Sequence, residues 1–98
     1  MKKAHLERRE KLARVFDALG HHRRIAIVEE LQLAGKDGIA FGDLAERTGM
    51  PSTALHHHIG MMKRGGFLYM RKKGSSTVFT LDTKQLNLAL SAFPLTES

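Results

Sequence analysis

The chain contains no cysteine and no tryptophan, a single tyrosine and only two prolines. Without thiols it forms no disulfide and presents no thiolate to a metal or redox partner. Long apolar runs are also missing. A membrane-spanning helix needs about 18 consecutive apolar residues, and no stretch of the sequence approaches that. Met1-Lys2-Lys3 is basic, but no apolar segment follows it, so no secretory leader is expected and the cytoplasm is the expected location. Acidic residues are few: ten Asp and Glu stand against sixteen Lys and Arg, a net charge of +6. A basic surplus attracts polyanions without choosing among them. No Ser/His/Asp spacing, phosphate-binding loop or carboxylate pair is apparent, and Asp17, Asp37 and Asp43 are scattered. Neither an enzyme nor a cofactor is therefore expected.

What is present is a series of short periodic segments within a single domain of 98 residues. Residues 1–10 are highly charged and are expected to fray. Leu12, Val15, Phe16 and Leu19 then recur at helical spacing, with Leu6 as a backward extension of the stripe and Gly20 as a stop. A second helix is expected from His22 to Ala34, with Ile25, Val28 and Leu31 on its inward stripe and Ile27 widening it. Arg23 and Arg24 lie in its first turn, against the helix dipole. Gly35 to Gly38 forms a turn cluster, and Ile39-Ala40-Phe41 reads as a brief strand leading into a third helix that starts at Phe41 or Gly42.

Two further helices follow, joined by Thr48-Gly49-Met50-Pro51. Leu55, Ile59 and Met62 form the buried stripe of the second of them, and Gly65-Gly66 ends it. Phe67 to Lys72 and Thr77 to Leu81 read as strands of a hairpin with a basic tip. The last helix is expected over Thr83 to Phe93, leaving 94–98 as a tail. The predicted fold is thus mainly α with a small β-hairpin wing, a winged helix-turn-helix in the order α-α-β-α-α-β-β-α, dimeric through its terminal helices.

Helix-turn-helix proteins read the major groove with the start of their second helix, which makes double-stranded DNA the leading partner. Ser52, Thr53 and His56 can donate to or accept from base edges and phosphates, and Ala54 is small enough to approach a thymine methyl. Capping of the helix by Ser52 or Thr53 is the alternative. His57 faces the same way. Lys63 near the helix end and Arg71, Lys72 and Lys73 on the hairpin suit phosphate or minor-groove contact. For these cations a solvated hairpin and a favourable helix dipole are the competing explanations. Successive helix residues point about 100° apart, so His56, His57 and His58 cannot all bind one ion. A zinc site of histidines alone, shared with His5, His21 or His22 across a dimer, has poor ligand spacing. Leu12, Val15, Phe16 and Leu19, with Leu86, Leu90 and Phe93, offer more apolar surface than a small core needs. They are the expected dimer interface, because a palindromic site calls for two-fold symmetry, and folding back on the chain's own core is the alternative.

The order of these segments resembles the ArsR-type winged-helix repressors. Ala18-Leu19-Gly20-His21-His22-Arg23-Arg24-Ile25 is similar to that family's opening, and Gly42-Asp43-Leu44-Ala45 to its next helix. Leu55-His56-His57-His58-Ile59 through Phe67-Leu68 follows its recognition helix, and Arg71-Lys72-Lys73-Gly74 its wing. The resemblance covers about residues 12–92. It implies a homodimer that binds an operator palindrome and represses nearby genes, commonly released by a metal. The usual metal sites are not matched: no cysteine lies near Phe41 to Leu44, and the last helix has only Asp82 before it and no histidine. Metal sensing at those sites is therefore not expected, and the effector is not readable from the sequence. His56 stands where the family usually has serine. A protein-interaction module and a histidine-only metal-responsive repressor are the alternative functions.

Overall fold

The computed structural model describes residues 2–93 and residue 95. Helix α1 spans Lys3–Leu19, α2 His22–Ala34, α3 Phe41–Thr48, α4 Ser52–Lys63 and α5 Thr83–Leu90. Between α2 and α3 lie a 3-10 turn, Gly35–Asp37, and strand β1, Ile39–Ala40. Strands β2, Leu68–Lys73, and β3, Ser76–Leu81, form the wing between α4 and α5.

Helix α1 begins well before the expected start, since residues 3–10 are helical rather than frayed. The charged segment is compatible with a helix because Lys3 and Glu7 pair at 4.0 Å with i, i+4 spacing. Of its apolar stripe, Val15 is buried beside Ala18, and Leu12 and Leu19 pack on the core's edge.

Helix α2 keeps most of its expected stripe inward, with Val28 packed on the core, but adds Arg24 and leaves out Ile25. Ile27 and Leu31 are buried together with Arg24, whereas Ile25 is exposed. The reason is local. The Arg24 Nε donates to the Ala18 carbonyl at 2.9 Å and its Nη2 to the Asp17 carbonyl at 3.3 Å, at the C-terminal end of α1. A cation is stabilised there by the negative end of the helix dipole, and its apolar stem is free to line the core.

Helix α3 closes with Gly49 at φ +68°, and the Met50 N–H donates back to the Ala45 carbonyl at 3.1 Å. This is the Schellman arrangement, and it sets the turn that launches α4. Pro51 occupies the cap position before Ser52, so neither Ser52 nor Thr53 caps the helix with its side chain. On the inner face of α4, Leu55, His58, Ile59 and Met62 are buried. Below them Ile27, Leu31, Leu44 and Phe67 complete a core in which all four are at most 1% exposed.

The sheet has order β1-β3-β2 and is antiparallel throughout. Ile39 pairs with Phe79 and Met70 also pairs with Phe79, so the short β1 secures the wing to the body. Both wing strands extend one residue further toward the tip than expected, leaving a two-residue loop of Gly74-Ser75. Gly74 has φ +62° while Ser75 does not have positive φ, the pattern of a type II′ hairpin turn.

Helix α5 is shorter than expected, ending at Leu90 rather than Phe93. Ser91 Oγ bonds back to the Asn87 carbonyl at 2.7 Å, which competes with further helix. At its start Asp82 accepts from the Gln85 N–H at 3.1 Å and from the Tyr69 hydroxyl at 2.6 Å, joining the helix to the wing. The Tyr69 hydrogen bond, followed by that from Gln85, holds the Asp82 carboxyl below its usual range. Of the expected tail 94–98, only Leu95 falls among the described residues. No described helix is long and apolar enough to cross a membrane.

Candidate nucleic-acid interface

The outward face of α4 carries Ser52, Thr53, His56, His57 and Lys63, all exposed, with Ala54 half-buried at their edge. Leu55, Ile59 and Met62 hold the opposite face in the core, and this one-sided anchoring is what presents the polar face to solvent. The wing's Arg71, Lys72 and Lys73 are likewise exposed.

Helix and wing meet across a cleft of about 620 Å³. Its floor is apolar: Phe41, Ile59, Met70 and Phe79. Lys63 stands on the helix side, Arg71 and Lys72 on the wing side, and Ser75, Ser76 and Thr77 add polar groups at the tip. The fold therefore brings Lys63 and His56 together with the wing cations, residues that are far apart in the chain. Lys73 does not line the cleft, and Ser52, Thr53, Ala54 and His57 lie outside it along α4.

Two site residues are held in ways the sequence does not reveal. The His56 ring stacks on Phe41, with centroids 4.2 Å apart and planes 25° from parallel. Phe41 in turn contacts Phe79 of the wing at 6.3 Å. His56 is thus oriented by an aromatic pair that links α3, α4 and β3. Arg71 donates through Nη2 to the Asp37 carbonyl at 3.0 Å, which ties the wing to the turn after α2. By sequence Phe41 is the end of a strand or the start of the third helix; its place against His56 and Phe79 is a tertiary feature.

Beneath this face, His58 is buried and its Nδ1 lies 3.4 Å from Arg24 Nη1. His21 packs on His58 with ring centroids 4.8 Å apart, His22 stacks on His21 at 4.7 Å, and His57 meets His58 edge-on at 5.5 Å. The His21 Nδ1 accepts from the Arg23 N–H at 3.1 Å and so caps α2. Loss of hydration lowers the His58 pKa below the ordinary histidine value, and His21, Arg24, His57 and Arg23 lower it further. The His21 ring is also shifted down, by desolvation against its neighbours and then by His22 and Arg24. This cluster is a packed, cation-flanked junction. Among the described residues, no group of three or more His, Cys, Asp or Glu is placed to hold a metal ion.

The terminal-helix residues divide between two tasks. Val15 and Leu86 are buried in the chain's own core. Phe16, Leu90 and Phe93 are 40%, 54% and 53% exposed. Phe16 and Phe93 contact each other at 6.3 Å, which brings α1 and the segment after α5 together on one outer face.

A model of a helix-turn-helix domain matches residues 19–71, more than half of the chain. No curated protein matches the chain in sequence. Among solved structures, a fragment of a possible transcriptional regulatory protein from Mycobacterium bovis is 27% identical, with 94% of each chain covered and a TM-score of 0.72. A solution structure of a homodimeric winged helix-turn-helix DNA-binding domain from the same organism, a possible ArsR-family regulator, is 24% identical. It covers 94% of this chain and 83% of its own, with a TM-score of 0.75. The transcriptional repressor BigR from Xylella fastidiosa is 20% identical over 100% of this chain and 99% of its own, with a TM-score of 0.68. The chain belongs to the helix-turn-helix domain family, and its fold is the winged form of that domain.

Proposed function

We propose that this protein is a homodimeric repressor that binds a palindromic DNA operator and does not sense metal at the sites usual in its family. The observation that carries the DNA reading is the convergence of His56 and Lys63 of α4 with Arg71 and Lys72 of the wing on one cationic face. In this reading Ser52, Thr53, Ala54, His56 and His57 read base edges, while Lys63, Arg71, Lys72 and Lys73 hold phosphates. The exposed Phe16, Leu90 and Phe93 support association of two copies through the terminal helices. That arrangement suits an operator with two-fold symmetry. The repressor role and the palindrome follow the homologous fold rather than any single contact. Val15 and Leu86 serve that interface only indirectly, by seating α1 and α5 in the core, and Leu12 and Leu19 border it.

The test is selection from a randomised duplex library at about 150 mM salt, where non-specific phosphate binding is weakened. Enrichment of a symmetric site with half-sites about one helical turn apart is the expected result. Recovery of no preferred sequence would overturn the operator reading and favour a protein-interaction role for the same face.

A further inference from the structure

Helix interiors disfavour glycine by about 1 kcal/mol relative to alanine, so a helical glycine calls for a reason. Among the nine glycines of this chain, five sit at positive φ, a conformation in which other residues are strained. Gly20 terminates α1, and a Cβ at Gly65 would lie 2.6 Å from the Phe67 ring and 2.9 Å from the Ala18 Cβ. Gly42 in the first turn of α3 and Gly60 within α4 are different. Neither has positive φ, and a Cβ at either would meet nothing within 4 Å. No contact among the described residues accounts for the missing side chains. Both glycines line the same cleft between α3, α4 and the wing.

We propose that Gly42 and Gly60 keep this cleft open for a DNA sugar–phosphate strand, which passes close to the backbone of both helices between the recognition helix and the wing. The inference rests on the DNA-binding reading above and adds where one strand runs and which residues admit it. Charge selects the occupant: Lys63, Arg71 and Lys72 line the cleft, and among the described residues no Asp or Glu does. The Ser75, Ser76 and Thr77 segment adds polar groups at the wing end, of the kind that contact phosphate oxygens. The apolar floor of Phe41 and Met70 suits the deoxyribose faces that lie between phosphates.

The experiment measures thermal stability and duplex affinity for the full chain and for Gly60→Ala, Gly60→Leu and Gly42→Ala, using the operator selected above. Because alanine and leucine favour helix and the Cβ position is open, Gly60→Ala should raise Tm by about 2–8 °C. Gly60→Leu should fold as stably as the unchanged chain. Both Gly60 variants should bind DNA more weakly, the leucine variant by about tenfold or more. For leucine the slope of log K against log salt should fall by about one for each phosphate no longer engaged. Undiminished affinity in the leucine variant overturns the proposal while leaving the DNA reading intact. A fall in Tm for Gly60→Ala also overturns it, since the glycine would then serve the fold. Failure of the unchanged chain to bind any duplex overturns the DNA reading itself, and this inference with it.

Discussion

The guanidinium of Arg24 in α2 lies 3.4 Å from the Nδ1 of His58 in α4, buried beneath the exposed polar face of that helix. The same guanidinium holds the carbonyls of Ala18 and Asp17 at the end of α1. A single side chain therefore connects three helices.

Replacing Arg24 by methionine keeps most of the apolar stem and removes every donor. The Ala18 carbonyl then loses the partner it has at 2.9 Å. Leaving a buried acceptor unpaired costs about 1–3 kcal/mol. A fall of that size is expected in urea-unfolding free energy, with an unchanged m-value. Stability equal to that of the parent chain would show that the fork contributes nothing net.

Acid should destabilise the fold before the carboxylates titrate. His58 has its pKa lowered by burial and by flanking His21, Arg24 and His57, so the unfolded chain takes up a proton at higher pH than the folded chain does. Stability is then complete above about pH 6.5, the ordinary histidine value, and declines as pH falls below it until the folded-state pKa is passed. His21 shifts in the same direction. The urea midpoint is expected to drop between pH 7.5 and 5.5, and His58→Gln, which retains an acceptor for Arg24, should flatten that drop. Parallel pH profiles for the two chains would remove His58 from the account.

Gly65→Ala should act oppositely to Gly60→Ala. The added methyl would press on the Phe67 ring at 2.6 Å and on Ala18 at 2.9 Å. Both neighbours are fully buried or nearly so, at 0% and 1% exposure, and overpacking of this kind costs about 1–3 kcal/mol. Thermal unfolding of the two variants side by side makes the comparison, and a Gly65→Ala chain as stable as the parent would show that the helix end can shift freely.

Phe16 and Phe93 form an exposed aromatic pair on the outer face of the terminal segments. A charge placed in a self-complementary interface is repeated in the partner and opposed by its copy. Phe16→Glu should therefore convert a dimer to a monomer in sedimentation equilibrium while far-ultraviolet circular dichroism stays unchanged. Persistence of the parent's mass would place the interface elsewhere.

The number and order of the elements followed from the sequence. Periodicity, the Thr48-Gly49-Met50-Pro51 turn and the two strand-like runs of the hairpin are local signals, and each sets a helix, a turn or a strand through backbone preferences that neighbours in the chain express. The inward face of α2 was legible in part: Ile27 and Leu31 are buried and Val28 packs on the core as expected, but Ile25 is exposed and the burial of Arg24 was not expected. Only the approach of the α1 carbonyl end makes burial of Arg24 favourable, because an arginine's donors need partners that lie elsewhere in the chain. The ends of α5 and α1 are accompanied by local contacts instead, Ser91 to Asn87 and Lys3 to Glu7, both four residues apart.

The candidate site divides in the same way. Its residue types and their place on a second helix and a basic hairpin were determined by the sequence alone, since solvent-facing polarity and the buried stripe of α4 specify each other. The cleft, the stacking of His56 on Phe41 and the shared outlook of Gly42 and Gly60 were decided by tertiary structure. They exist only where β1 pairs with β3 and swings the wing over α4, a long-range pairing that no local sequence pattern encodes.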